Sequence, residues 1–236
     1  MVLTGSPAWA YRPFVSTDAA VADPKEVEIE LGYFEFATRR EGDLFTTPKA
    51  VLNYGLVDRL EIVGEFAVEE GRHDSLQLVD PAVFLKAVLR EGVLQEKSGL
   101  SVALEAGPLL PSSAPGEDGV GFEATGIASG EIRPVTYHLN LGAGVTRMET
   151  RPFWTWGLIT ELPVIPAFRV VSEVNGESVE QERANNSVLV GFIWQPFESR
   201  KLWIDAGVRH GITSAAPEWQ VTVGLTFGFS LAPERR

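Results

Sequence analysis

Trp219–Ser230 reads W-Q-V-T-V-G-L-T-F-G-F-S. Trp219, Val221, Val223, Leu225, Phe227 and Phe229 share one parity; Gln220, Thr222, Gly224, Thr226, Gly228 and Ser230 share the other. A period of two marks a strand with one apolar and one polar face. Two glycines and several β-branched residues within twelve positions disfavour a helix.

The same alternation recurs upstream. In Lys201–Arg209, Leu202, Ile204, Ala206 and Val208 oppose Lys201, Trp203, Asp205, Gly207 and Arg209. In Arg59–Glu69, Leu60, Ile62, Gly64, Phe66 and Val68 oppose Arg59, Glu61, Val63, Glu65, Ala67 and Glu69. Glu61, Glu65 and Glu69 also have helical i, i+4 spacing, so that segment alone fits either structure. Extended along the chain, the pattern predicts strands at Glu26–Thr38, Phe45–Tyr54, Arg59–Glu69, Leu76–Glu91, Leu100–Leu109, Val120–Glu131, Thr136–Met148, Phe153–Leu162, Phe168–Val174, Ser187–Trp194, Lys201–Arg209 and Trp219–Ser230. The 23 glycines and 15 prolines are spread between these stretches, as many short strands and turns require.

Connection lengths alternate. Gly55–Asp58, Ile132–Val135 and Pro163–Ala167 read as tight turns; Leu110–Gly119, Asn175–Asn186 and His210–Glu218 read as longer polar loops, with Gly176-Glu177-Ser178 a turn. Short turns at one end and longer loops at the other characterise outer-membrane barrels. The expected fold class is therefore all-β: an antiparallel up-and-down transmembrane β-barrel of about 12 strands. It would span residues 26–230, with residues 231–236 as a C-terminal tail and residues 1–25 as a signal-peptide remnant and periplasmic N-terminal segment. Ala8 and Ala10 supply an A-x-A cleavage pattern in that first stretch.

A soluble barrel or sandwich also alternates, with its apolar face inward. Two features favour the inverted, lipid-facing arrangement. The polar parity is rich in Gly, Ser, Thr and charges, as a lumen would be. Aromatics also gather near predicted strand ends, at Tyr54, Phe153, Trp154, Phe168, Trp194, Trp219, Phe227 and Phe229, matching interfacial girdles. No apolar run approaches the roughly 18–20 residues a spanning helix needs. A net charge of −12 argues against nucleic acid and anionic surfaces as partners. The absence of cysteine excludes thiolate metal sites and disulfide scaffolds.

Three stretches resemble the MetA-pathway of phenol degradation family, a group of predicted outer-membrane barrels. They are P-F-V-S-T-D at Pro13–Asp18 with E-I-E-L-G-Y at Glu28–Tyr33; L-N-Y-G-L-V-D-R-L-E-I at Leu52–Ile62; and D-A-G-V-R-H-G-I-T at Asp205–Thr213 with the closing W-Q-V-T-V-G-L-T-F-G-F. The resemblance implies a transporter-like barrel in the bacterial outer membrane, passing small organic compounds. In addition, Thr222, Gly224, Phe227 and Phe229 resemble the last-strand signal read by the outer-membrane barrel-assembly machinery. Outer-membrane lipid, that machinery and a small solute are thus the expected partners.

Parity assigns Glu61, Glu65, Lys86, Arg90, Glu105, Glu123, His138, Glu161, Asp205 and Arg209 to the lumen, along with Glu28, Glu30, Lys49, Arg169 and Glu173. A charge on the lipid face costs about 2–4 kcal/mol for Arg or Lys at the midplane, so charges face inward whatever the function. An internal salt-bridge network and a polar path for a small solute both fit this pattern. Catalytic residues, cofactors and metal ligands are not expected. The histidines are His73, His138 and His210, and the sequence places no serine beside His138 for a Ser-His hydrolase. The leading expectation is a channel or transporter for small solutes. A closed structural or interaction barrel with partner-binding outer loops and a soluble ligand-binding barrel are the alternatives.

Overall fold

A sheet with two such different faces leaves a row of unpaired backbone groups along each edge unless it closes on itself. The computed structural model, which describes residues 13–39, 42–71, 75–115, 117–148, 150–197 and 200–231, shows that closure. The strands are β1 (Glu26–Arg39), β2 (Gly42–Val57), β3 (Leu60–Gly71), β4 (Ser75–Arg90), β5 (Ser101–Leu109), β6 (Gly121–Ile132), β7 (Val135–Val145), β8 (Pro152–Ile165), β9 (Phe168–Val179), β10 (Asn185–Trp194), β11 (Leu202–Gly211) and β12 (Trp219–Ser230). Each pairs antiparallel with its sequence neighbours. The last strand pairs with the first, from Glu26 opposite Ser230 to Thr38 opposite Trp219. The shortest strand, β5, has 9 residues, enough to cross a bilayer at the usual tilt.

The faces are inverted relative to a soluble protein. Ile62, Phe66, Leu141, Leu158, Val190 and Val223 point outward and are exposed, whereas Glu61, Lys86, Asp205 and Thr222 on the opposite parity are buried. Water does not solvate a continuous apolar belt of this kind, but hydrocarbon does. This overturns the soluble ligand-binding barrel. Outward aromatics mark both rims: Phe122, Trp154 and Trp219 at the loop end, and Trp194 and Phe229 at the tight-turn end. There Phe168 stacks on Phe192 at 5.4 Å and Phe227 on Phe229 at 6.5 Å. Phe153 is an exception to the expected girdle. Being adjacent to outward Trp154, it points inward and packs with Val63, Ala82, Phe84 and Leu109.

The largest departures in strand length are in β2, which runs Gly42–Val57 where Phe45–Tyr54 was expected, and in β9. The expected loop at residues 175–186 shrinks to residues 180–184, and Gly176-Glu177-Ser178 is strand, not turn. Gly176 lies opposite Trp156 and Asn186. The Trp156 indole covers the glycine so closely that a Cβ there would sit 2.4 Å from its Nε1. A cross-strand aromatic thus supplies the cover that glycine lacks.

Candidate functional site

The interior has two storeys. The storey at the tight-turn end is filled by the chain's own N-terminal segment. Residues 13–23, expected in the periplasm, instead cross the inside of the barrel. A buried irregular segment must find partners for its peptide groups, and the polar face of the wall provides them. The Ala22 N–H donates to Glu61 Oε2 (2.6 Å), Ala19 N–H to Ser129 Oγ (3.0 Å), Thr17 N–H to Asn140 Oδ1 (3.1 Å) and Ser16 N–H to Glu173 Oε1 (2.8 Å). The Thr17 carbonyl accepts from Asn140 Nδ2 (2.7 Å). Lys86 Nζ donates to Thr17 Oγ1 (3.2 Å). From the β4–β5 turn, Gln95 Nε2 donates to the Ala19 carbonyl (3.0 Å).

Packing follows the same path. Phe14 lies against Val171, Ile193 and Trp203, and Ala19 against Leu94, Ala103 and Ile127. Gly55 makes room where the segment enters, since a Cβ there would stand 2.0 Å from the Asp23 carbonyl oxygen.

Three ion pairs of this storey lie within the wall. Glu61 meets Lys86 at 3.5 Å, Glu161 meets Arg169 at 2.9 Å and Glu173 meets Arg209 at 2.6 Å. Arg209 also donates to Ser187 Oγ (2.9 Å) and to Asn175. Taking a partner from a buried charge is far costlier than leaving the pair intact, so these pairs fix the wall.

His138 does have a serine beside it. Ser129 Oγ is 2.8 Å from its Nδ1, and Glu161 Oε1 is 3.6 Å from its Nε2. The signal was present in the hairpin: Ser129 and His138 are symmetric about the tight turn at residues 133–134, and such a turn fixes them as a cross-strand pair. Ser129 and His138 are buried, and Ser129 accepts the Ala19 N–H. Ser129 thus anchors the segment, with His138 and Glu161 behind it in the wall.

The storey at the loop end is a cavity of about 820 Å³ whose floor is Phe14–Thr17 of the segment. Of the predicted lumen residues, Glu30, Lys49, Glu65, Lys86, Glu105, Glu123 and Arg209 line it. Glu61, His138, Glu161 and Asp205 belong to the buried storey below. Arg90 departs from its assignment. A bulge between Val88 and Arg90 shifts the register at the end of β4, and its exposed guanidinium lies over Gly99 at the rim.

The cavity lining holds ten carboxylates and five cations. Four of the cations are engaged: Lys86 and Arg209 as above, Arg147 with the Leu110 carbonyl (2.7 Å) and Asp80 (3.5 Å), and Arg151 with Glu182 (2.6 Å). Glu123 accepts from Thr125 (3.2 Å) and Thr155 (3.3 Å), which fix its carboxylate in place. Glu65, Glu105 and Glu123 lie within electrostatic reach of one another. An apolar patch of Phe84, Leu109 and Phe153 adjoins them.

Thr222 and Gly224 of the last strand point inward and are buried, while Phe227 and Phe229 point outward near the inner rim. No protein-family model matches the chain, and no curated protein matches it. Among solved structures it is similar to a loop L8 deletion mutant of OmpT, an outer membrane protein of Vibrio cholerae, at 9% identity over 86% of this chain and 98% of that one (TM-score 0.44). It is also similar to Salmonella typhi OmpF in complex with daunomycin, at 8% identity over 86% and 97% (TM-score 0.44). A third likeness is to the outer membrane channel DcaP of Acinetobacter baumannii, at 9% identity over 86% and 95% (TM-score 0.39). The architecture rests on this chain's own strand pairing and faces, independently of these likenesses. The chain is a closed, twelve-stranded, membrane-spanning barrel of the outer-membrane type.

Proposed function

We propose that this protein is a bacterial outer-membrane channel for small solutes, with a preference for organic cations. The observation that carries the proposal is the charge balance of the loop-end cavity. Ten carboxylates face five cations, four of them already engaged by acids or carbonyls. A low-dielectric wall of one dominant sign concentrates counter-ions and repels co-ions. The adjoining Phe84, Leu109 and Phe153 patch would receive an apolar body beside the charge. The resemblance to the MetA-pathway family implies small organic solutes, without a preference of charge. Short turns at the end where β1 begins and β12 ends support a periplasmic position for that end and an external cavity mouth. The outward aromatics and Thr222, Gly224, Phe227 and Phe229 support outer-membrane lipid and the assembly machinery as partners.

The test is reversal potential in planar bilayers under a salt gradient, together with uptake of a small organic ammonium ion, its neutral analogue and a matched carboxylate into proteoliposomes. A potential of cation sign and preferential ammonium uptake are expected. Anion preference would refute the proposal. The filled inner storey favours a second reading, a closed barrel whose loops bind a partner. Absence of all flux, even after the segment is released, would select it.

A further inference from the structure

We propose that residues 13–23 are a removable gate, and that their withdrawal joins the loop-end cavity to the tight-turn end of the barrel. This regulation rests on the channel reading above.

Three observations distinguish a gate from a permanent filler. First, the wall charges that hold the segment are satisfied without it: Glu61 keeps Lys86 and Glu173 keeps Arg209. Withdrawal therefore strands no buried charge, which would otherwise forbid it. Second, the segment offers little to interlock. After Phe14 it reads V-S-T-D-A-A-V-A-D, small or medium side chains throughout. Its grip on the wall is through peptide groups, which water replaces at small net cost, and through the Thr17 hydroxyl and the buried Asp18 carboxylate within electrostatic reach of Lys86, which keeps Glu61 when they leave. Third, it closes the bore by crossing it. Its contacts run from Glu61 on β3 through Ser129 on β6 and Asn140 on β7 to Glu173 on β9. The same stretch, Phe14–Thr17, floors the cavity. Gln95 reaches in from the β4–β5 turn to the Ala19 carbonyl and acts as a latch at the inner end.

The chain contains no cysteine, so a disulfide can be introduced cleanly. Ala19→Cys with Ser129→Cys joins groups already in contact; Ala19→Cys with Ala103→Cys, from one packed cluster, is the second pair. Each variant is folded into liposomes, checked by a heat-modifiability gel, and assayed for tetramethylammonium uptake oxidised and reduced, beside Asn140→Leu in the unmodified chain. Uptake at least tenfold slower in the oxidised than in the reduced form, and faster in Asn140→Leu than in the unmodified chain, is expected. Equal uptake in oxidised and reduced forms would overturn the gate while leaving the channel intact. No uptake in any form, with hydrogen exchange showing the segment released in Asn140→Leu, would overturn the channel reading and the gate with it.

Discussion

Asn140→Leu isolates the hold of the wall on the segment. The Asn140 amide accepts the Thr17 N–H at 3.1 Å and donates to the Thr17 carbonyl at 2.7 Å, a two-point clamp on the backbone of one residue. Leucine has similar volume and neither polar group. In the held state it leaves a donor and an acceptor of Thr17 without those partners, at about 1–3 kcal/mol each. In the released state Thr17 is hydrated and the substitution costs the segment nothing. Held over released should therefore lose about 2–6 kcal/mol. Because Thr17 borders the cavity, water can relieve part of this, so the lower end applies. At about 1.4 kcal/mol per factor of ten, 2 kcal/mol raises the released population about 30-fold. Hydrogen–deuterium exchange by mass spectrometry reads this directly, since protection reports local opening free energy. Peptides covering residues 15–22 should exchange about 30-fold faster, while those from β6 and β8 stay unchanged. Unaltered exchange in residues 15–22 would refute the clamp. Equal acceleration throughout the strands would show that Asn140 supports the barrel rather than the segment.

Other outcomes follow from the same geometry. Gly55→Ala places a Cβ 2.0 Å from the Asp23 carbonyl oxygen, so the backbone at residues 22–25 must move; residues 15–22 should lose exchange protection while the heat-modifiable band persists. Leu158→Lys sets a charge on the lipid face of β8 and should cost about 2–4 kcal/mol in unfolding from lipid vesicles; Thr155→Lys, facing the lumen, should cost much less. The Lys97 hydrogen bond at 2.5 Å, with Arg59 nearby, holds the Glu91 carboxyl below its ordinary value of 4.5. A lowered folded-state pKa stabilises fully above the ordinary value and is lost as pH falls through the lowered one. The turn at residues 91–100 should therefore exchange faster below about pH 4, a dependence that Glu91→Gln should remove.

Much of the fold was legible because strand alternation is local. Each of Glu61, Glu65, Lys86, Glu105 and Asp205 needs only its immediate neighbours to reveal which face it occupies. Their charges then choose the inside once the outside is lipid. The closing strand, Trp219–Ser230, reads the same in the sequence and in the barrel. Local pattern failed where a neighbouring strand set the outcome. Gly176 looks like a turn residue until Trp156 covers it, and Arg90 looks inward until a bulge ends its parity.

Proximity across the lumen lay further out of reach. Ser129 and His138 were recoverable from hairpin symmetry, but Glu161 joins them from β8. The N-terminal segment had no local signature at all. Its peptide groups bond to Glu61, Ser129, Asn140 and Glu173, up to 158 residues away. A backbone N–H carries no sequence code, and a lumen carboxylate reads identically whether it faces water, an ion pair or a peptide. Alternation could therefore establish the barrel and its polar interior, while ring closure determined which storey stays open and which the chain fills with itself.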